Sequence, residues 1–107
     1  MRRGDLVTVA MSGPYGKPRP AVIIQADSFE HVQSVTFLPL TSDITEALTF
    51  RVLIEPSSEN RLRATSQVMA DKCSTLPRNK VGDVFGRLTD SDMTAVNRAL
   101  AIFLGFV

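Results

Sequence analysis

The chain has 107 residues, 44% of them hydrophobic, a formal net charge of +1 and a single cysteine. That composition predicts one folded domain over residues 1–107 and excludes a disordered chain and an internal disulfide framework. No apolar run approaches the ~20 residues of a membrane span, and no signal-peptide core follows Met1-Arg2-Arg3, so the expected setting is the reducing cytoplasm.

Leu6 to Met11 reads as a first strand, followed by a loop over Ser12 to Pro18. That loop holds Gly13-Pro14-Tyr15-Gly16-Lys17-Pro18-Arg19-Pro20 and delivers Arg19, between two prolines, to an apolar strand. Each proline fixes its own φ near −65° and pushes the preceding residue toward extended geometry, which holds Lys17 and Arg19 extended on one side. An arginine fork on a restrained backbone loses little freedom on gripping an anion, and phosphate is its usual ligand. Ala21 to Gln25 is almost wholly apolar, as expected of a central strand buried on both faces.

Asp27 to Glu30 reads as a capped turn or one helical turn. Ser34 to Leu40 alternates as a strand, and Pro39 within it predicts an edge, a bulge or a strand end, because proline cannot donate to a ladder. Leu48 to Glu55 is a further strand, Pro56 to Arg63 a polar loop, and Ser66 to Lys72 another strand. Lys80 to Arg87 is short and punctuated by glycine. Between Arg51 and Arg87 seven basic residues face four acids, a mild bias that suits a phosphate-binding face or a solvated surface alike.

The C-terminal segment is helical by its spacing. Met93, Val96, Leu100, Phe103 and Val107 form one stripe, with Thr89 or Ser91 as N-cap, Asp90 and Asp92 at the positive end, and Gly105 as terminator. Ile102 and Leu104 lie outside that stripe, which widens the apolar surface and points to a partner subunit. Several short strands and one helix make an α+β fold, a small curved antiparallel β-barrel with a C-terminal α-helix.

Few residues can carry chemistry. One histidine and one cysteine give no metal-ligand set. His31 reads as a surface residue and Cys73 as a buried structural one. Arg19, Thr41 with Ser42, and Asp71 remain as polar groups at predicted strand ends. Each also has an ordinary reading: Arg19 packing on Tyr15, Thr41 or Ser42 capping a turn before Asp43, and Asp71 paired with Lys72 or an arginine.

Three stretches resemble the MazF/PemK/Kid family of toxin endoribonucleases: Met1-Arg2-Arg3-Gly4-Asp5-Leu6-Val7, then Gly16 to Gln25, then Val35-Thr36-Phe37-Leu38-Pro39-Leu40-Thr41-Ser42. Ser66 to Lys72, Val84 to Leu88 and Val96 to Gly105 extend the likeness along nearly the whole chain. The resemblance implies an SH3-like barrel of the type shared with CcdB, a homodimer, and sequence-selective cleavage of single-stranded RNA without metal or other cofactor. It also implies a cognate antitoxin whose extended tail fills the RNA groove. The family's essential pair falls on Arg19 and Thr41, and a carboxylate used by some members falls on Asp71. Met69 stands where one branch has an arginine, and the first loop lacks a family histidine.

On this reading the 2′-hydroxyl attacks the adjacent phosphorus. Arg19 and Thr41 stabilise charge on the phosphoryl oxygens, and Asp71 is the expected base. Tyr15, Lys17, Ser42 and Gln67 are the expected substrate-binding residues, with Phe85 a further stacking candidate. The rival functions are a CcdB-like gyrase poison that cleaves nothing and an inactive barrel that binds RNA or peptide. The gyrase mode leans on an exposed C-terminal tryptophan, and this chain has none.

Overall fold

The structure, a computed structural model, describes residues 1–10 and 17–107. Among the described residues, seven antiparallel strands form a single curved sheet: β1 (Asp5–Val9), β2 (Arg19–Ile23), β3 (Ser34–Thr41), β4 (Arg51–Ile54), β5 (Ser66–Met69), β6 (Ser74–Pro77) and β7 (Val81–Arg87). Their order is β4-β5-β3-β2-β1-β7, with β6 also paired to β3. One helix, α1 (Asp90–Leu104), completes the expected α+β barrel-like fold.

The sheet carries apolar side chains on both faces because successive strand residues point to opposite sides. Leu6, Val22, Leu38, Leu40 and Val68 share one cluster with Met93, Val96 and Ala99 of α1. Val7, Val9, Ala21, Ile23, Val35 and Phe37 form a second cluster. Ala21, Val22 and Ile23 are all buried, which places β2 at the centre, as the unbroken apolar run predicts. Val22 and Ile23, taken from water, each contribute about 1.5–3 kcal/mol.

Pro39 sits in a central strand rather than at an edge. β6 pairs with β3 as far as Phe37, and β5 takes over at Leu40. Pro39 therefore falls where one partner gives way to the other, and on that side its missing N–H leaves no rung broken. Other boundaries also differ from the sequence reading. β4 starts at Arg51, not Leu48, and β6 was not foreseen, because Ser74-Thr75-Leu76-Pro77 is too short and mixed to signal a strand. Asp71 lies on a single 3₁₀ turn (Ala70–Lys72), not in a strand. Cys73, expected inside, is exposed.

In α1, Thr89 is the N-cap, its hydroxyl oxygen accepting the Asp92 N–H at 3.0 Å. Gly105 closes the helix at φ 80°, and backbone N–H groups there reach Ala101 and Ile102 carbonyls. Met93 and Val96 bury as the stripe predicts. Phe103, in a tilted contact with Phe50 at 5.5 Å between ring centroids, stays 47% exposed, and Val107 lies beyond the helix.

Candidate active site

The β2–β3 register decides whether the two foremost candidates meet. Ala21 pairs with Pro39, Val22 with Leu38 and Ile23 with Phe37. Continued two residues toward the strand ends, this register sets Arg19 opposite Thr41, on one side of the sheet. Both residues line a cleft of about 890 Å³ at that end of the sheet. Lys17, Ser42, Asp43, Arg61, Arg63 and Phe85 line it as well.

Thr41 is poised as a donor. Its Oγ1 accepts the backbone N–H of Asp43 at 3.1 Å, which orients the hydroxyl and leaves its hydrogen available. The expected capping role and the expected site role are thus compatible. Arg19 is partly buried, and Lys17 and Ser42 are exposed. Among the described residues, Lys17, Arg19, Arg61 and Arg63 form no ion pair, while Asp43 is the single carboxylate lining the cleft. Four cations against one acid in a concave, low-dielectric wall focus a positive field that attracts anions.

Phe85 reaches the cleft through an irregularity no sequence pattern reveals. Leu6 pairs with Gly86 but Val7 with Val84, which leaves Phe85 as the extra residue of a bulge. Tyr15 lies outside the described residues.

Gln67 is not a free recognition group. It is 6% exposed, and its side chain bonds the Thr45 backbone both ways: Thr45 N–H donates to Oε1 at 3.1 Å, and Nε2 donates to the Thr45 carbonyl at 2.8 Å. It ties the loop after β3 to β5 and so supports Thr41 from behind.

Asp71 is not among the cleft residues. Arg51 grips it with a two-pronged contact, Nε to Oδ1 at 2.9 Å and Nη2 to Oδ2 at 3.1 Å. Both side chains are nearly buried, and Lys72 adds an ammonium at 3.6 Å. Partial burial pushes the carboxyl up, but the hydrogen bonds and charge of Arg51, helped by Lys72, hold it below its ordinary value. A carboxyl so held is a weaker base, and its oxygens are already engaged. The ordinary ion-pair reading describes it.

The sequence counts Arg61 and Arg63 in a basic stretch that suits a phosphate-binding face or a solvated surface alike, but it does not place them at the cleft. Both are exposed, on either side of buried Leu62, in the loop between β4 and β5. Their alternation around one apolar residue was the available signal, and it was masked by the polar surroundings of the loop.

An open, barrel-like antiparallel sheet with a cationic cleft at its strand ends is an arrangement that attracts anions. The family model for the PemK-like, MazF-like toxin of type II toxin–antitoxin systems matches residues 2–104, and the chain belongs to that family. A probable endoribonuclease MazF of Mycolicibacterium smegmatis is 46% identical over 106 residues, spanning 98% of this chain and 97% of the relative. An endoribonuclease MazF of Staphylococcus saprophyticus is 32% identical over 111 residues, spanning 98% and 92%. Among solved structures, an endoribonuclease in complex with its cognate antitoxin from Mycobacterial species superposes with a TM-score of 0.85 at 27% identity. That match covers 100% of this chain and 97% of that one.

Proposed function

We propose that residues 1–107 act as a toxin that cleaves single-stranded RNA at selected sequences, without a metal ion. The observation that carries this reading is the register that sets Arg19 opposite Thr41 at the mouth of the cationic cleft. The substrate supplies its own nucleophile. Its 2′-oxygen bonds to the adjacent phosphorus as the P–O5′ bond breaks, giving a 2′,3′-cyclic phosphate and a free 5′-hydroxyl. The 2′-hydroxyl proton leaves to a base, and a proton reaches the departing 5′-oxygen.

The protein's part is to hold the attack in line and stabilise negative charge on the phosphoryl oxygens. Arg19 supplies a guanidinium whose forked donors match two phosphoryl oxygens, and its role is electrostatic. Thr41 donates its hydroxyl to a phosphoryl oxygen, and Ser42 supports it. Because Asp71 is committed to Arg51, the base role falls to Asp43, the carboxylate lining the cleft. Lys17 holds backbone phosphate, and Phe85, with Tyr15, offers faces on which unpaired bases stack.

Two partners follow. Leu53, Ile102, Phe103, Leu104, Phe106 and Val107 are all 43% or more exposed, more apolar surface on β4 and the helix end than water favours. A second copy of the chain covers it. The cationic cleft receives the acidic tail of a cognate antitoxin, which competes with RNA for Arg19 and Lys17. The pair works in the cytoplasm. Among the described residues no helix is long and apolar enough to cross a membrane.

The test incubates purified protein with long single-stranded RNA in EDTA and maps the new 5′ ends. Discrete cuts bearing 5′-hydroxyl groups, lost in folded Arg19→Ala and Thr41→Val variants, support the reading. Intact RNA together with inhibited gyrase gives the CcdB-like function instead.

A further inference from the structure

Cleavage as described uses Arg19, Thr41 and Asp43 of the cleft lining. Arg61 and Arg63 line the same cleft, and neither has a part in the chemistry at the scissile phosphate. We propose that Arg61-Leu62-Arg63 is a second phosphate clamp, which holds the sugar–phosphate backbone of nucleotides flanking the cleaved bond. The proposal rests on the RNA reading of the site and extends it from one phosphate to a track.

Three observations carry it. The first is that both arginines line the cleft, yet their side chains donate no hydrogen bond to and form no ion pair with any described residue. Exposed arginines facing a cleft that already holds two more cations repel one another unless an anion lies between them.

The second is that the loop is built, not merely exposed. Asn60, 3% exposed, is its hub. Its Nδ2 donates to the Glu55 carbonyl at 2.9 Å, and its Oδ1 accepts the N–H of both Ser57 and Leu62 at 2.9 Å. Arg61 N–H donates to the Ser57 carbonyl at 2.9 Å, and Arg87 N–H to the Glu59 carbonyl at 3.0 Å. Leu62 plugs into the core and leaves its two neighbours outside.

The third is strain. Arg61 adopts φ 55°, a region an arginine rarely enters, where only a framework such as the Asn60 hub can hold it. The hub itself lies so close to β7 that a Cβ on Gly86 would come 2.2 Å from the Asn60 carbonyl oxygen. Backbone strain, a buried asparagine and a closely approached glycine thus all fix the backbone that presents two arginines, whose side chains bond no described residue.

The experiment measures the affinity of a short 2′-O-methyl oligonucleotide, which cannot be cleaved, by fluorescence anisotropy across a salt series. Each phosphate contact removed should flatten the plot of log Kd against log salt by about 0.7. Arg63→Ala and Arg61→Gly should each do so, and the double variant by about 1.4. Glycine is chosen at position 61 because it accepts the positive φ and preserves the loop. Arg2→Ala removes an equal charge at the far end of the sheet, where Arg2 lies 3.6 Å from Asp27, and should leave the slope as it is.

A slope unchanged in the double variant, while Arg19→Ala flattens it, overturns the clamp and leaves the scission site standing. That holds even if the same variant weakens capture of an acidic peptide, which would assign the two arginines to the antitoxin. Equal flattening by Arg2→Ala overturns it too, by showing only an effect of net charge. Wild-type protein that neither binds nor cuts RNA removes both readings together.

Discussion

Replacing Gly86 by alanine tests how tightly the β4–β5 loop is welded to the sheet. The added methyl would lie 2.2 Å from the Asn60 carbonyl oxygen and 2.7 Å from its carbon, both backbone atoms. Real Cβ atoms essentially never come within 3.0 Å, so one backbone must retreat by at least about 0.8 Å. Overpacking of this kind costs about 1–3 kcal/mol. The Arg87 N–H to Glu59 carbonyl bond, 3.0 Å long, spans the same junction, and its loss adds about 1 kcal/mol. A total near 2–4 kcal/mol should lower Tm by at least about 8 °C in a domain of this size. Gly105→Ala adds the same methyl with nothing within 4 Å. It meets only the left-handed φ of 80°, worth about 1–2 kcal/mol. Circular-dichroism melts of the two variants should therefore rank Gly86→Ala as the more damaged. A Gly86→Ala melt within about 2 °C of wild type would refute the close-approach argument.

Thr41→Val keeps the β-branched shape and removes only the hydroxyl; cleavage should slow by about 10²–10³-fold, and Thr41→Ser should restore most of it, in single-turnover assays. Asp71→Asn should destabilise the fold by about 2 kcal/mol in urea titrations while discrete cleavage persists, because the pair it breaks is structural. The sign with pH follows from the lowered carboxyl. Its stabilisation is complete above the ordinary carboxylate pKa of about 4 and is lost as pH falls through the lower folded value. Wild type should accordingly lose its advantage over Asp71→Asn in melts carried below about pH 4. Ile102→Glu, placed on the exposed apolar end of α1, should shift sedimentation equilibrium from dimer to monomer.

The parts of this fold legible in the sequence are those in which one residue's character decides the matter. The run Ala21 to Ile23 can only be buried on both faces. Thr89, Asp90, Asp92 and Gly105 each carry a helix-terminus signal that does not depend on tertiary context, and all four act as read. Arg19 and Thr41 were legible as candidates, yet their meeting was not. It depends on the pairing of Ala21 with Pro39, and a slip of one residue would have sent them to opposite faces. Asp71 shows the converse. As a carboxylate near a strand end it looked available, but its partner Arg51 lies 20 positions away and no local rule links them.

The same distinction explains why the polar loop bearing Arg61 and Arg63 carries no signal in the sequence of its place at the cleft. Its shape comes from one local fact, an asparagine that bonds backward and forward within the loop, and two remote ones, a leucine that finds the core and a glycine on β7 that leaves room. None of these is a periodic signal. The sheet sets Arg19 opposite Thr41 through backbone pairing, so any sequence that keeps the register keeps the pair aligned. The loop instead holds its arginines by individual side chains. Chemistry at the scissile phosphate should for that reason tolerate changes in the loop, whereas grip on the flanking strand should vary with nearly every residue from Ser57 to Arg63.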